Sequence, residues 1–386
     1  MKSDLSEIIS HFCIDGELIG IAPLECGNIN DTYIASFNND KRVHKYILQK
    51  INHVVFKEPV NLMKNVIAIT EHIRGSVLRQ GGDPERETLN FVPIADGGFV
   101  HKCIHGNYWR AYRYVDGACT YQIVENPVHF LNAGRAFGKF QRSLRDFPAE
   151  DLYATIPDFH NTPKRYLAFL DAVEQDAANR AEAAMQDIMF VKKRAKYLSI
   201  LTDHIEKGNI PLRVTHNDTK FNNVLIDDKT GEGICVIDLD TVMPGSSLYD
   251  FGDSIRSGAN PAGEEELDLT KVKLDLELFE QFTRGFLEYT FDFITPIEIV
   301  YLPFSAILIT MELGMRFLTD YINGDVYFKT SRENQNLHRA RVQFKLAADM
   351  ESKLDEMRAI VEKYTFANAS RTESYDEIAA AAKTIV

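Results

Sequence analysis

Residues Arg213–Asp227 read RVTHNDTKFNNVLID, and this stretch decides the fold. His216, Asp218, Asn222 and Asn223 fall within eight residues, flanked by apolar runs of buried-strand character. Such a cluster is either a solvated turn or a place where chemistry happens. A lone H-x-D is ordinary in loops, but here the pattern is longer: His216-x-Asp218, then Asn223, then an apolar run ICVIDLD in which Asp238 stands fifteen residues after Asn223. The spacing has a physical reason. One carboxylate reaches an attacking hydroxyl, an amide oxygen a turn later reaches a cation, and a second carboxylate from the next strand completes the cation site. Magnesium is a hard ion that takes oxygen ligands, so one Asn oxygen, one Asp carboxylate, phosphate oxygens and water suit it.

The same H-x-D-x-x-x-x-N spacing, followed by a strand that ends in a magnesium-binding Asp, marks the catalytic loop of protein kinases. In that reading Asp218 orients the acceptor hydroxyl and takes its proton, while Asn223 and Asp238 hold Mg2+ against the phosphates of ATP. Lys220, two residues after Asp218, is placed to neutralise developing phosphoryl charge. Asp240 is either a further metal ligand or an acceptor for backbone amides.

The rest of the chain bounds the reading. Its 386 residues exceed one ordinary core, and two lobes are expected. A hydrophobic share of 45% with 26% charged residues is that of a folded globular protein. The net charge of −13 repels polyanions and argues against a nucleic-acid partner. Cys13, Cys26, Cys103, Cys119 and Cys235 are scattered and odd in number, as expected of reduced thiols in a cytoplasmic protein. The start MKSDLSEIISHF carries acid early and does not read as a signal peptide. IVYLPFSAILITMELGM is broken by Pro303 and Glu312, and is expected to be a buried helix, too short to span a bilayer. No membrane partner is expected.

Residues 1–115 read as a small β-rich lobe. GIAPLECG and TYIASF are strands around GNIND, HKYILQKI is a third strand, NLMKNVIAITEHIR has helical apolar spacing, and FVPIADGGFVHKCIHGNYWRAYRYV holds two or three more strands. After RYVDGACTYQ the chain, 116–386, is mainly helical, with 213–240 as a β-like island. The AAAAK-type composition near 378–384 reads as a helix or a loose end. The expected fold is α+β and two-lobed: a nucleotide-binding N-lobe, a hinge near Arg113–Asp116, and a C-lobe with the catalytic loop and acceptor site.

The chain resembles the aminoglycoside phosphotransferase-like small-molecule kinases, which share the protein-kinase-like fold. Within them it is most similar to the bacterial N-acetylhexosamine 1-kinases. GNINDTY, YILQKIN, LMKNV, THNDTKFNNVL, IDLDTVMPGSSLYDFGDSIRS and GMRFLTDYINGDVYF carry the resemblance, which covers most of the chain. It implies transfer of the ATP γ-phosphate to the anomeric hydroxyl of an N-acetylated hexosamine. It matches Asp218 to the catalytic Asp, Asn223 and Asp238 to the magnesium ligands, and Arg316 and Tyr327 to sugar-binding positions. His216, Asn30 and Asp31 join these as expected substrate contacts. Gly27, Asn28, Gln49 and Val115 are the expected nucleotide contacts, the last through its backbone.

One departure stands out. Related kinases place Lys or Arg after the apolar part of the third strand, where this chain has Ile47-Leu48-Gln49-Lys50. If Gln49 takes that place the phosphate-pairing cation is missing. If Lys50 does, it points to the other face, and a helix partner such as Glu71 is equally in question. Two other readings remain open: a kinase for another sugar, an amino alcohol or an aminoglycoside, and a non-catalytic nucleotide-binding module. No A-P-E-like segment follows Asp238, so a peptide substrate is disfavoured.

Overall fold

The computed structural model describes residues 2–24 and 29–369. Gly27, Asn28 and the alanine-rich tail lie outside the described residues. The N-terminal part is built on a five-stranded antiparallel sheet of order β1-β2-β3-β5-β4. Its strands are β1 Glu17–Pro23, β2 Asp31–Asn39, β3 Arg42–Ile51, β4 His101–Lys102 and β5 Tyr108–Arg113. The β2–β3 hairpin turns at Asp40 and Lys41, whose φ values of 47° and 64° give the left-handed pair that a two-residue turn needs to match strand twist. Alternation sends Ala35, Phe37, Tyr46, Leu48, Trp109 and Ala111 to one apolar layer, which α1 Lys2–Ser10 closes with Ile8 and Ile9.

The opposite face meets α2 Pro59–Arg79, followed by the short α3 Pro84–Glu87. Leu62, Met63, Val66 and Ile69 of α2 join a second apolar layer with Phe140, Leu144, Val214, Leu239 and Val242. That layer crosses from the N-terminal sheet into the helical half. Packing of α2 therefore seats the two parts against each other.

Between Arg113 and Ala118 the chain leaves the first sheet. β6 Ala118–Cys119 pairs instead with β8 Val224–Asp227, which pairs with β9 Gly233–Val236. A two-stranded ladder joins β7 Arg213–Thr215 to β10 Met243–Gly245. These small sheets form the β-island within 213–240 and extend it to Gly245. Around them lie α4 Pro127–Ser143, α5 Thr162–Gln175, α6 Met185–Lys192, α7 Ile200–Glu206, α8 Ser247–Gly258, α9 Leu276–Thr290, α10 Pro296–Ile322, α11 Gln335–Ser352 and α12 Leu354–Ala369. α4 and α9 cross closely because glycines face backbone: a Cβ on Gly134 would lie 2.5 Å from the Phe282 carbonyl oxygen. Phe251, Phe279, Phe282 and Phe286 are fully buried beside that crossing. Each contributes on the order of 2–3 kcal/mol by leaving water.

α10 corrects one expectation. It runs unbroken for 27 residues through Pro303, starts at a Thr295/Glu298 capping box, and is long and apolar enough to cross a membrane. Its Leu302, Ala306, Leu318 and Ile322 are instead fully buried in the C-terminal core. Neither Pro303 nor Glu312 breaks this helix, which packs against neighbouring elements along its length. The fold is α+β, with a β-rich N-lobe and a larger helical C-lobe.

Candidate active site

The loop from Thr215 to Asn223 is shaped mainly by backbone-directed bonds. Asp250, one turn into α8, is 1% exposed and turns its carboxylate under the loop. Oδ2 accepts from the His216 amide at 3.0 Å and from Gln141 Nε2 at 2.8 Å, and Oδ1 accepts from the Asn217 amide at 2.7 Å. Asn217 holds φ at 64°, where its own side chain repays the backbone: Nδ2 donates to the Thr241 carbonyl at 2.9 Å and Oδ1 accepts from Thr215 Oγ1 at 3.0 Å. Gly245 leaves room for this, since a Cβ there would come within 2.7 Å of Asn217 Oδ1.

His216 is fully buried, with its ring edge-on to Phe137 and Phe140. Nδ1 accepts from the Asp218 amide at 3.3 Å, so the proton sits on Nε2, which donates to the Ile237 carbonyl at 2.9 Å. The structure therefore sets His216 behind the loop, tying Asp218 to the residue before Asp238. This departs from the expected sugar contact, because the ring has no exposed surface to offer.

Asp218 stands at the front of the loop, its side chain 28% exposed. Lys220 Nζ lies 3.2 Å from its Oδ2, and Asn223 Nδ2 donates to its carbonyl at 2.8 Å. Burial works against the Asp218 charge, but Lys220 and further groups such as Arg256 together hold the carboxyl below its usual value. Lys220 is held above its own, first by Asp218. Asp253, on α8 near Lys220, pairs through Oδ1 with Arg256 at 2.7 Å, while its Oδ2 is buried without a partner. Asn223 is linked to the next strand by the Ile237 amide, which donates to its carbonyl at 2.9 Å.

Asp238 has φ 60° and ψ 57° at the end of β9. Among the described residues its carboxylate accepts no hydrogen bond and forms no ion pair. Burial, then Asp240 and Asp218, push its carboxyl up to about 6. A half-buried, unpaired acid beside two others suits a divalent cation. No group of three or more His, Cys, Asp or Glu gathers as a metal cage among the described residues. The Asp238 carboxylate and the Asn223 amide oxygen could together hold an ion that takes its remaining ligands from phosphate and water.

The N-lobe side is where sequence reading missed a residue. Gln49 lies on β3 opposite Arg110 of β5. Gln49 Oε1 accepts from both Nε and Nη2 of Arg110, at 2.9 and 2.7 Å, and its Nε2 donates to Thr32 Oγ1 at 3.0 Å. Arg110 Nη1 forms a buried ion pair with Asp240. Burial opposes the guanidinium charge, Asp240 more than offsets it, and the group is held above its ordinary value. Asn30 completes the relay: Nδ2 donates to Asp240 Oδ2 at 2.7 Å, and Oδ1 accepts from the Asn52 amide. Asp240 is thus an acceptor for N-lobe side chains. Lys50 points to the other face, 3.5 Å from the exposed Asp31, and Glu71 is exposed. Val115 is buried in the passage between the lobes, where the Tyr114 amide donates to the Lys45 carbonyl.

On the far wall, Arg316 of α10 lies 5.4 Å from the centre of the Phe159 ring and 5.6 Å from that of Phe328. Among the described residues its guanidinium makes no hydrogen bond and no ion pair. Arg165 stands beside it, donating to the Phe159 carbonyl at 3.2 Å with its Nε buried and unpartnered. Burial and then Arg316 hold Arg165 below its ordinary value. Tyr327 is exposed and meets Phe328 edge to face. Phe159 and His160 connect this wall to the catalytic loop through the Asn217 carbonyl.

A model of the phosphotransferase enzyme family, APH, matches residues 20–275. The chain belongs to that family. Among solved structures this APH-family chain is similar to a microcompartment-associated aminopropanol kinase, at TM-score 0.60 and 15% identity over 92% of this chain and 98% of that one. It is similar to an aminoglycoside phosphotransferase from Alicyclobacillus acidocaldarius, at TM-score 0.60 and 13% identity over 92% and 95%. It is also similar to a choline kinase from Cryptosporidium parvum, at TM-score 0.58 and 14% identity over 95% and 100%. At these identities the likeness speaks to the fold, which is the two-lobed, protein-kinase-like one.

Proposed function

We propose that this phosphotransferase moves the γ-phosphoryl group of ATP to the anomeric hydroxyl of an N-acetylhexosamine, giving ADP and a sugar 1-phosphate. Asp218 orients the acceptor hydroxyl and accepts its proton as the oxygen–phosphorus bond forms. Its lowered pKa makes it a weak base, which suits a transfer whose catalysis is mainly positioning and charge stabilisation. Lys220 shifts from Asp218 toward the transferring oxygens as their charge moves. Asn223 and Asp238 would hold Mg2+, which supplies Lewis-acid charge neutralisation at the phosphates when bound. Gly27, Asn28 and the Val115 backbone serve the nucleotide; Gln49, expected beside them, is instead held by Arg110 and Thr32.

The observation that carries the acceptor choice is the pair Arg165 and Arg316, neither in an ion pair among the described residues, with Arg316 set between the Phe159 and Phe328 rings. Two guanidinium groups repel a cationic acceptor and offer donors to hydroxyl and acetamido oxygens. Ring faces such as Phe159 and Phe328 cover the apolar side of a sugar. The similar structures named above include kinases for amino alcohols and an aminoglycoside phosphotransferase, and an acceptor of that kind is the alternative. The intact set of Asp218, Asn223 and Asp238 weighs against a non-catalytic module. Free thiols at Cys13, Cys103, Cys119 and Cys235 support a cytoplasmic setting. ADP release with Mg-ATP tests the reading: turnover on N-acetylglucosamine or N-acetylgalactosamine, with an acid-labile, non-reducing product, supports it. Turnover confined to aminopropanol, choline or an aminoglycoside overturns it.

A further inference from the structure

His160 belongs to none of the motifs that identify the site. It lies just before α5, with a side chain 8% exposed. Nδ1 is 2.9 Å from Glu312 Oε1, and Nε2 is 3.0 Å from the Asn217 carbonyl oxygen. Both partners are acceptors. The other Glu312 oxygen already accepts from Thr162 Oγ1 at 2.6 Å. A neutral imidazole carries one N–H and serves one of these acceptors; both are served when His160 carries two protons beside an ionised Glu312.

The position of the second bond gives it consequence. The Asn217 carbonyl belongs to the peptide that leads into Asp218. The amide of that same peptide donates to His216 Nδ1. Two histidines thus grip one peptide unit from its two sides, at a residue whose φ of 64° is unfavourable for a side-chain-bearing residue.

We infer that His160 and Glu312 form a charged positioning pair that fixes the Asn217–Asp218 peptide, and that alkaline loss of its proton slackens Asp218 and slows phosphoryl transfer. His160 is a positioning residue here, and the inference rests on Asp218 as the group that meets the acceptor. The surroundings favour the charge. Burial opposes it, but Glu312, the Asn217 carbonyl and Asp253 raise the His160 pKa. Glu312 is held below its ordinary value by His160, Thr162 and Arg316 once burial is overcome. Tyr249 of α8 lies tilted against the ring at 5.0 Å and is pushed up by burial and Glu312, so it stays neutral. Arg165, like Arg316, faces Glu312 from the cleft wall. A raised histidine pKa means that the pair holds below the unfolded value and is lost as pH rises through the folded one.

The test uses the full chain with isotope-labelled histidine, followed by NMR beside turnover. His160 titrates above the ordinary 6.5, the Asp218 amide signal moves with the same midpoint, and kcat falls on the alkaline side there while KM for ATP stays flat. Glu312→Gln lowers that midpoint by about a unit or more, as loss of a close carboxylate does. His160→Gln keeps an amide donor toward Asn217 but cannot titrate, so the alkaline fall disappears while about a tenth or more of the acid-side kcat persists. A His160 midpoint at or below 6.5, an Asp218 amide that ignores it, or an unchanged alkaline fall in His160→Gln overturns the inference. The NMR arm needs no acceptor. An acceptor reading that fails would therefore not be mistaken for a failure of the pair.

Discussion

The catalytic loop and the N-lobe face opposite it are held by different physics. The loop is fixed by backbone groups: Asp250 takes two successive amides, His216 and His160 hold the peptide before Asp218, and Thr241 Oγ1 donates to the His216 carbonyl at 2.7 Å. The N-lobe face is fixed by a side-chain relay, Thr32 to Gln49 to Arg110 to Asp240, with Asn30 closing it. Backbone-directed bonds specify where a residue stands and tolerate changes in exposed neighbours. A relay of buried polar side chains works only when every member is present. The cation expected on β3 is found one strand away, on β5, and spent on joining the lobes at the residue two places after Asp238.

The largest effect expected is at the front of the loop. Asp218→Asn should lower kcat by about a thousandfold with an unchanged thermal midpoint, since general-base loss of this kind costs about 10²–10⁴ in rate. A variant within tenfold of wild type would show that Asp218 is not the group the loop exists to place.

Arg110 is the corresponding probe of the relay. Truncation to Ala leaves Asp240 buried and unpaired, and should cost about 3–5 kcal/mol in urea unfolding. Arg110→Lys keeps the charge but loses the fork to Gln49, and should fall between wild type and Ala. Equal stability for all three would mean that the lobes are seated by the apolar layer of Leu62, Val66 and Val242 alone.

Asp238 separates activity from stability. Burial, then Asp240 and Asp218, push its carboxyl up to about 6. A raised acid destabilises the metal-free protein as it ionises, so stability should fall as pH rises from about 4 through about 6. Asp238→Asn should remove that fall and gain on the order of 1 kcal/mol above pH 6, allowing for partial solvent screening, while abolishing turnover. Mg-nucleotide should restabilise wild type above pH 6 and do little for the variant. A smaller effect is expected at the far wall: Arg316→Ala should raise KM for the acceptor by about tenfold, the worth of a charged hydrogen bond, and leave KM for ATP unchanged.

Legibility in the sequence follows the same division. The candidate catalytic loop stands out in the sequence because its parts are local: Asp218, Asn223 and Asp238 lie within one short run, and the strand patterns around them are strong. The β-rich and helical halves were legible from apolar periodicity. The Arg110–Asp240 pair joins residues 130 positions apart, and nothing in either neighbourhood marks a partner. A signal was present in Gln49, since a missing cation invites a search of the neighbouring strand on the same face. His216 was read as a contact because its type and place suggest chemistry, whereas Phe137 and Phe140 bury it. Nor did spacing reveal that α10 passes unbroken through Pro303, or that Arg165 stands beside Arg316; both depend on how the C-lobe helices pack.

The most direct test is ADP release from Mg-ATP by wild type and Asp218→Asn, across N-acetylglucosamine, N-acetylgalactosamine, glucose, galactose, choline, aminopropanol and kanamycin. Turnover on the N-acetylated sugars that collapses in Asp218→Asn is the predicted result. Turnover that prefers the cationic acceptors, or that survives Asp218→Asn, would contradict it.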